Sequence, residues 1–210
     1  NVIIEGMGPA PESVVLWTNY NDTFVLFANP DATPETCGLS NLTLSGGISA
    51  NGWGATLQID SGRPWLNNLI IRDAVQGVDS GEHSVIWVKT GATPDIIRIR
   101  TESITAQPNA IPFHILMADA GTDLSVSALM VADIKSCAVK TAGRIVLSDC
   151  DLNDATAGYG ALVWLSPSAD VRIENSRLQT VGAFGICAQQ NSRLTVNHSE
   201  LFGAADRKSV

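Results

Sequence analysis

The chain has 210 residues, 45% of them hydrophobic and only 16% charged, which supplies a substantial core and excludes a disordered tail or a charge-laced helical bundle. Thirteen Lys and Arg against 21 Asp and Glu give a net charge of −8, which argues against a general nucleic-acid binder. No apolar run reaches the roughly 20 residues of a membrane-spanning helix, so no membrane insertion is expected.

Long stretches with a 3.6-residue period are scarce, whereas short Val, Ile and Leu runs bounded by Gly, Asn, Asp and Ser recur. In chain order these are Val2-Ile3-Ile4-Glu5-Gly6, residues 14–18 and 23–27, then Leu42-Thr43-Leu44-Ser45-Gly46 and residues 55–59. Next come Leu69-Ile70-Ile71-Arg72-Asp73, residues 84–88, Ile97-Arg98-Ile99-Arg100-Thr101, residues 112–117 and Leu129-Met130-Val131-Ala132-Asp133. The last are Ile145–Leu152, Ala161–Leu165, Val171–Leu178, residues 185–188 and Leu194–Leu201. Three of these units align without a gap: Ile145–Leu152, Val171–Leu178 and Leu194–Leu201. Each reads apolar, any, apolar, polar, Asp/Asn/His, small, charged, Leu.

A recurring unit with irregular spacing is the mark of a solenoid whose coils carry loops of variable length. The apolar anchors are Ile4, Leu44, Ile71, Ile99, Val131, Leu147, Ile173 and Val196, one to a coil. The expected fold is therefore all-β, a right-handed parallel β-helix of about eight coils with three short strands per coil. Two residues after each anchor, the positions Gly6, Gly46, Asp73, Thr101, Asp133, Asp149, Asn175 and His198 are expected to stack as a polar column at a turn. One stretch is read differently. Val126, Leu129, Met130, Ile134 and Cys137 lie at helical spacing, which predicts a short helix within residues 125–137.

Cys37, Cys137, Cys150 and Cys187 are scattered and fit no metal-ligand spacing, so they are expected as small buried hydrophobes, with no bound metal or cofactor. Asn-X-Ser/Thr sequons stand at Asn21, Asn41 and Asn197. Residues 1–210 are read as a single β-helix segment of a longer chain.

Units such as Asp170-Val171-Arg172-Ile173-Glu174-Asn175-Ser176 resemble the generic repeat of the pectin-lyase-like superfamily, and the resemblance runs over nearly the whole chain. It implies the parallel β-helix fold but leaves function open, since that fold carries lyases, hydrolases, adhesins and phage tail spikes. The opening Asn1–Gly8 is similar to an early coil of tail-spike-like members. The Asn-Thr-Asp, Asp-Asp and Gly-His-Gly signatures of polygalacturonases and the Arg-X-Pro-X-X-Arg element of pectate lyases are missing from the sequence.

Candidate chemistry falls into three groups. Asp149, Asp151 and Asp154 form the densest acidic cluster and would serve as a carboxylate pair or a calcium site, though a solvated turn is the plainer reading. Asp73, Asp79, Glu82 and His83 are expected on a loop after a core strand, where Glu82 and His83 would suit acid–base work. Arg72, Arg98 and Arg100 are expected on the outward face of consecutive coils as a basic patch that would grip an anionic glycan; pairing with neighbouring acids is the alternative. Trp53 and Trp65, expected in loops, would offer planes for sugar rings. Ile3, Ile70, Met130 and Val146 would form an outward apolar stripe. The expected function is a structural and binding module of a phage tail spike or surface fibre that recognises host cell-surface polysaccharide. It would act at the virion surface or outside the cell, as a homo-trimer or within a larger virion assembly. A polysaccharide lyase or glycoside hydrolase using loop carboxylates, and a bacterial surface adhesin, are the alternatives.

Overall fold

The computed structural model describes residues 2–18, 23–49, 54–76, 83–106, 114–134, 137–154, 161–180 and 184–203. All paired strands among them run parallel, as a chain that winds in one sense and stacks coil on coil requires. The main sheet is ordered Ile3–Glu5, Gly38–Gly46, Trp65–Arg72, Asp95–Glu102, Asp123–Ile134, Arg144–Ser148, Asp170–Glu174 and Arg193–Asn197. Val15–Thr18 also pairs with Gly38–Gly46, and Asp151–Asp154, Arg177–Thr180 and Glu200–Gly203 extend its second half.

A seven-stranded second sheet stacks Val25–Phe27, Gly54–Ile59, His83–Val88, His114–Ala118, Cys137–Thr141, Ala161–Leu165 and Phe184–Ala188. Ile48–Ser49, Val75–Gln76 and Thr105–Ala106 make a small third sheet. The architecture is the expected parallel β-solenoid. Its uninterrupted three-strand turns number about five, fewer than the expected eight. The first coil is broken by a 3-10 helix at Pro11–Ser13, the fifth runs Asp123–Ile134 as one strand, and the last has only two strands described.

One core cluster fills the interior from Phe27 to Leu178. Its side chains form columns. Ile4, Leu39, Leu66, Ile96, Val126, Leu147, Ile173 and Val196 are in register along the main sheet. Leu16, Leu44, Ile71, Thr101, Val131, Leu152, Leu178 and Leu201 make a second column. Ile71, Ile99, Leu147 and Ile173 are fully or almost fully buried and Val196 packs against them, so the expected anchors do point inward. They do not form one column: Ile99 pairs with Leu69 and Leu129, between the two.

The reason is a seam of left-handed backbone. Asn41, Asn68, Arg98, Ala128, Asp149, Asn175 and His198 all have φ between 46° and 55° and fall at the step the ladder skips between paired residues. A left-handed residue turns the strand and resets its alternation, so side chains two apart before the seam become side chains three apart across it. Leu39 and Leu42, Leu66 and Leu69, and Ile96 and Ile99 all face the core in this way. Gly6 continues the seam, and a Cβ there would collide with the Asn41 carbonyl oxygen. The expected polar column is therefore right at Gly6, Asp149, Asn175 and His198. It misses at Gly46 and Asp73, which with Ser103 form a second left-handed set at or just past the strand ends, and at Thr101, which is buried.

The seam also removes the expected helix within 125–137. Asp123–Ile134 is a strand of 12 residues, and the helical spacing of Val126 and Leu129 is the phase reset at Ala128, whose φ is 54°. Alanine gains nothing from this conformation, whereas asparagine tolerates it and bonds locally. Ala128→Asn should therefore raise stability by about 0.5–1 kcal/mol, read as a higher urea midpoint; an unchanged or lower midpoint would show that the seam imposes no strain on Ala128.

Candidate functional site

The outward face of the main sheet gathers most of the residues singled out above. Each outward column repeats at the strand spacing of about 4.8 Å. Just past the seam the column reads Thr43, Ile70, Arg100, Met130, Asp151, Arg177 and Glu200. Arg98 and Asp149 are both seam residues, with Ala128 between them. Arg98 and Arg100 thus share one face with Asp149 and Asp151, far from them in sequence and two strands away.

A hollow of about 240 Å³ opens on this face. Leu69, Ile70, Ile99 and Met130 line it, of which only Met130 exposes its side chain, and Asn68, Arg98, Arg100 and Glu12 make its polar rim. Glu12 belongs to the 3-10 helix Pro11–Ser13, which the N-terminal segment lays over the sheet. Thr43 anchors that segment: its Oγ1 donates to the Pro11 carbonyl at 3.1 Å and its N–H to the Val14 carbonyl at 2.8 Å. Ile70 is consequently buried and Met130 remains exposed, while Val146 is half-buried and Ile3 exposed. The expected apolar stripe is broken into separate residues.

The guanidiniums are held differently from one another. Arg100 reaches Glu12 Oε1 at 2.7 Å through Nη2 and Glu102 Oε1 at 2.8 Å through Nε. Arg72 pairs with Asp73 at 3.5 Å. Arg98 donates to the neutral Asn67 Oδ1 at 3.0 Å and 3.3 Å through Nη2 and Nε. Three cations here face three carboxylates, so the face is a set of charge pairs rather than a bare basic patch. Glu12 is held below the usual carboxylate range first by its backbone hydrogen bond and then by Arg100.

Asp149 and Asp151 are both exposed. Asp149 N–H donates to the Glu174 carbonyl at 3.1 Å, and Asp151 stands between Met130 and Arg177. Asp154 ends its strand. His83 begins the strand His83–Val88 and is buried rather than on an exposed loop, and Asp73 accepts from Ser45 Oγ at 2.9 Å. Glu82, Asp79 and Trp53 lie outside the described residues. Trp65 is the first residue of a strand and half-buried, not a loop plane, because Gly38 beneath it and Asp95 above continue its column. Among the described residues no group of three His, Cys, Asp or Glu side chains could hold a metal ion.

All four cysteines are free thiols; Cys37, Cys137 and Cys150 are buried. Burial pushes Cys137 up to about 12 and Cys150 up to about 11, so neither is a nucleophile near neutral pH. On the second sheet, Trp87 is buried with Nε1 donating to Asp119 Oδ1 at 2.9 Å, and Lys89 Nζ lies 2.9 Å from its ring centroid. Burial lowers the Lys89 pKa. That tryptophan is sealed by its own lysine and offers no open plane.

Sequence reasoning missed Glu12, 88 residues from its partner Arg100, and no local pattern could have joined them. Asn68 did carry a signal, an asparagine immediately before a leucine of a short apolar run, as Asn41 does. Asn41 is a sequon asparagine whose Nδ2 donates to the carbonyls of Gly6 and Gly8 at 2.7 Å and 3.0 Å. Comparison with protein-family models, curated proteins and solved structures finds no match. The class defined by the coordinates is the parallel β-solenoid.

Proposed function

We propose that the chain is a carbohydrate-binding β-helix module of a surface fibre, of the phage tail-spike type within the pectin-lyase-like superfamily, and that it holds polysaccharide against the outward face of its main sheet. The observation that supports this is the hollow on that face, where the exposed Met130 stands beside Arg98, Arg100, Asn68 and Glu12. Apolar floor beneath ring C–H groups and planar polar side chains beside hydroxyls are what a sugar needs. Arg98, whose hydrogen-bond partner is the uncharged Asn67, is the group for a sugar carboxylate.

Arg98→Gln should weaken binding of an acidic polysaccharide by roughly 3- to 10-fold, the worth of one exposed charge-assisted contact. Raising salt should weaken binding to the native chain, because these charges are open to solvent. Calorimetric titration on polysaccharides selected from a glycan array measures both. Affinity unchanged by Arg98→Gln removes the site, and an array with no bound polysaccharide removes the reading.

The second reading is hydrolysis or elimination. Asp149 and Asp151 lie two residues apart on the arginine-bearing face, which gives a carboxylate pair beside a sugar-holding groove. Oligosaccharide release that Asp149→Asn or Asp151→Asn abolishes would establish it in place of binding alone.

A further inference from the structure

We propose that Glu12 is a built-in competitor for Arg100: its carboxylate holds the place of an acidic sugar's carboxylate, and polysaccharide binds by displacing it. The inference rests on the sugar-binding reading of this face, and it adds Arg100 to Arg98 as a second position for a uronate.

The segment that carries Glu12 is anchored without the help of its carboxylate. It leaves the main sheet after Ile3–Glu5 and rejoins it at Val15–Thr18, and both strands pair with Gly38–Gly46. Asn41 Nδ2 holds the Gly6 and Gly8 carbonyls. Thr43 holds the carbonyls of Pro11 and Val14, on either side of Glu12. Gly8 packs so closely on Ser13 that a Cβ there would collide with the serine side chain. Pro11–Ser13 is thereby laid over the strands Gly38–Gly46 and Trp65–Arg72, and Glu12 reaches Arg100 on the strand after them.

The ion pair itself is open to exchange. Arg100 and Glu12 are 43% and 51% exposed, so dissolved anions reach both, and a pair so placed is readily broken. Its neighbours are local by comparison. Arg100 Nε stays with Glu102, two residues on along its own strand, and Arg72 stays with the adjacent Asp73. The acid on Arg100 Nη2 is instead brought from 88 residues away. Taking Glu12 off leaves three guanidiniums against two carboxylates, so a neutral face acquires one positive charge for an incoming uronate. Glu12 is ionised when the uronate is, because its backbone hydrogen bond first, and then Arg100 and Arg72, favour its charged form. The native chain then takes an acidic sugar only in the fraction of copies whose Arg100 is open, and its apparent affinity is lowered by that fraction.

The test compares the native chain with Glu12→Gln, Arg100→Gln and the double variant, titrated calorimetrically with a uronate-bearing polysaccharide retained on a glycan array. Glu12→Gln should bind it about 2- to 5-fold more tightly, the effect of releasing one exposed ion pair. Glu12→Ala, which removes the acceptor oxygen as well, should gain at least as much. In the Arg100→Gln background the Glu12→Gln change should add little, because the contested guanidinium is gone. The melting profile of Glu12→Gln should match the native one, since Asn41 and Thr43 keep the segment in place. Unchanged or weaker binding by Glu12→Gln, or an equal gain with and without Arg100, would overturn the competition and leave the sugar-binding reading standing. An array on which neither the native nor the Glu12→Gln chain retains an acidic polysaccharide would remove that reading, and the competitor with it.

Discussion

Ile173→Asp should leave the chain without a cooperative unfolding transition, whereas Ile173→Val should lower stability by only about 1 kcal/mol. Ile173 is fully buried, with Leu147 on the strand below and Val196 on the strand above. Leu152 and Leu178 stand in the inward column beyond the seam and belong to the same core. A carboxylate there meets no cation and no hydrogen-bond donor, and it would either ionise without a partner or carry its proton at a cost of several kcal/mol. The void left by the lost aliphatic adds a few kcal/mol more. Against a typical net stability of roughly 5–15 kcal/mol, that is most of the margin. Arg172, the next residue, faces outward, is exposed and pairs with Glu174. Arg172→Gln should therefore change stability by less than about 1 kcal/mol. Urea unfolding followed by circular dichroism checks all three, and an Ile173→Asp protein that melts like the parent would mean the column is not core.

The inward rows were readable from sequence because their chemistry is uniform: a coil that puts a polar group inside pays for it, so aliphatics recur wherever the chain returns to the same wall. Ala161–Leu165 is placed to the residue and five other second-sheet strands within one or two, whereas Cys137–Thr141, beside the stretch read as a helix, is missed. The register was not readable, for a physical reason. Phase depends on the backbone at one residue per coil, and the seam is occupied by Asn, Arg, Ala, Asp and His, which share a dihedral angle and no side-chain chemistry. Arg98 was read as an outward strand residue when it occupies the left-handed step, and Ala128 made a strand look like a helix. Turn residues such as Asn175 and His198 were placed correctly because in the last coils the seam coincides with a break between strands, where polarity is expected. The site was half-legible. Arg98, Arg100, Asp149 and Asp151 were named from composition and local spacing. Their meeting on one face, and the neutralisation of Arg100 by Glu12, depend on stacking and on a segment folded back over the sheet.

The seam itself predicts the second large effect. Asn41→Val should destabilise the chain by about 3–4 kcal/mol, while Asn41→Gly should cost about 1–2 kcal/mol. Asn41 has φ 51°, a conformation that costs an ordinary residue roughly 1–2 kcal/mol and a β-branched one more. Its side chain also links three coils. Nδ2 donates to the carbonyls of Gly6 and Gly8 in the coil before, and Oδ1 accepts from Asn68 Nδ2 at 2.9 Å in the coil after. Valine loses these bonds and forces the backbone; glycine loses the bonds but relaxes into the backbone without strain. The difference between the two variants is thus the conformational part, and the cost of glycine is chiefly the hydrogen-bonded part. The Gly6 and Gly8 carbonyls belong to the segment that carries Glu12, so Asn41→Gly should also loosen Glu12 from Arg100. Amide hydrogen exchange should then rise at Ser13 and Val14, whose N–H groups bond to the Ala10 and Pro11 carbonyls, while the core strands stay protected. Equal destabilisation by valine and glycine would show that the left-handed step is not strained by a β-branched side chain. Unchanged exchange at Ser13 and Val14 would show that the N-terminal segment is held over the sheet by something other than the Asn41 amide.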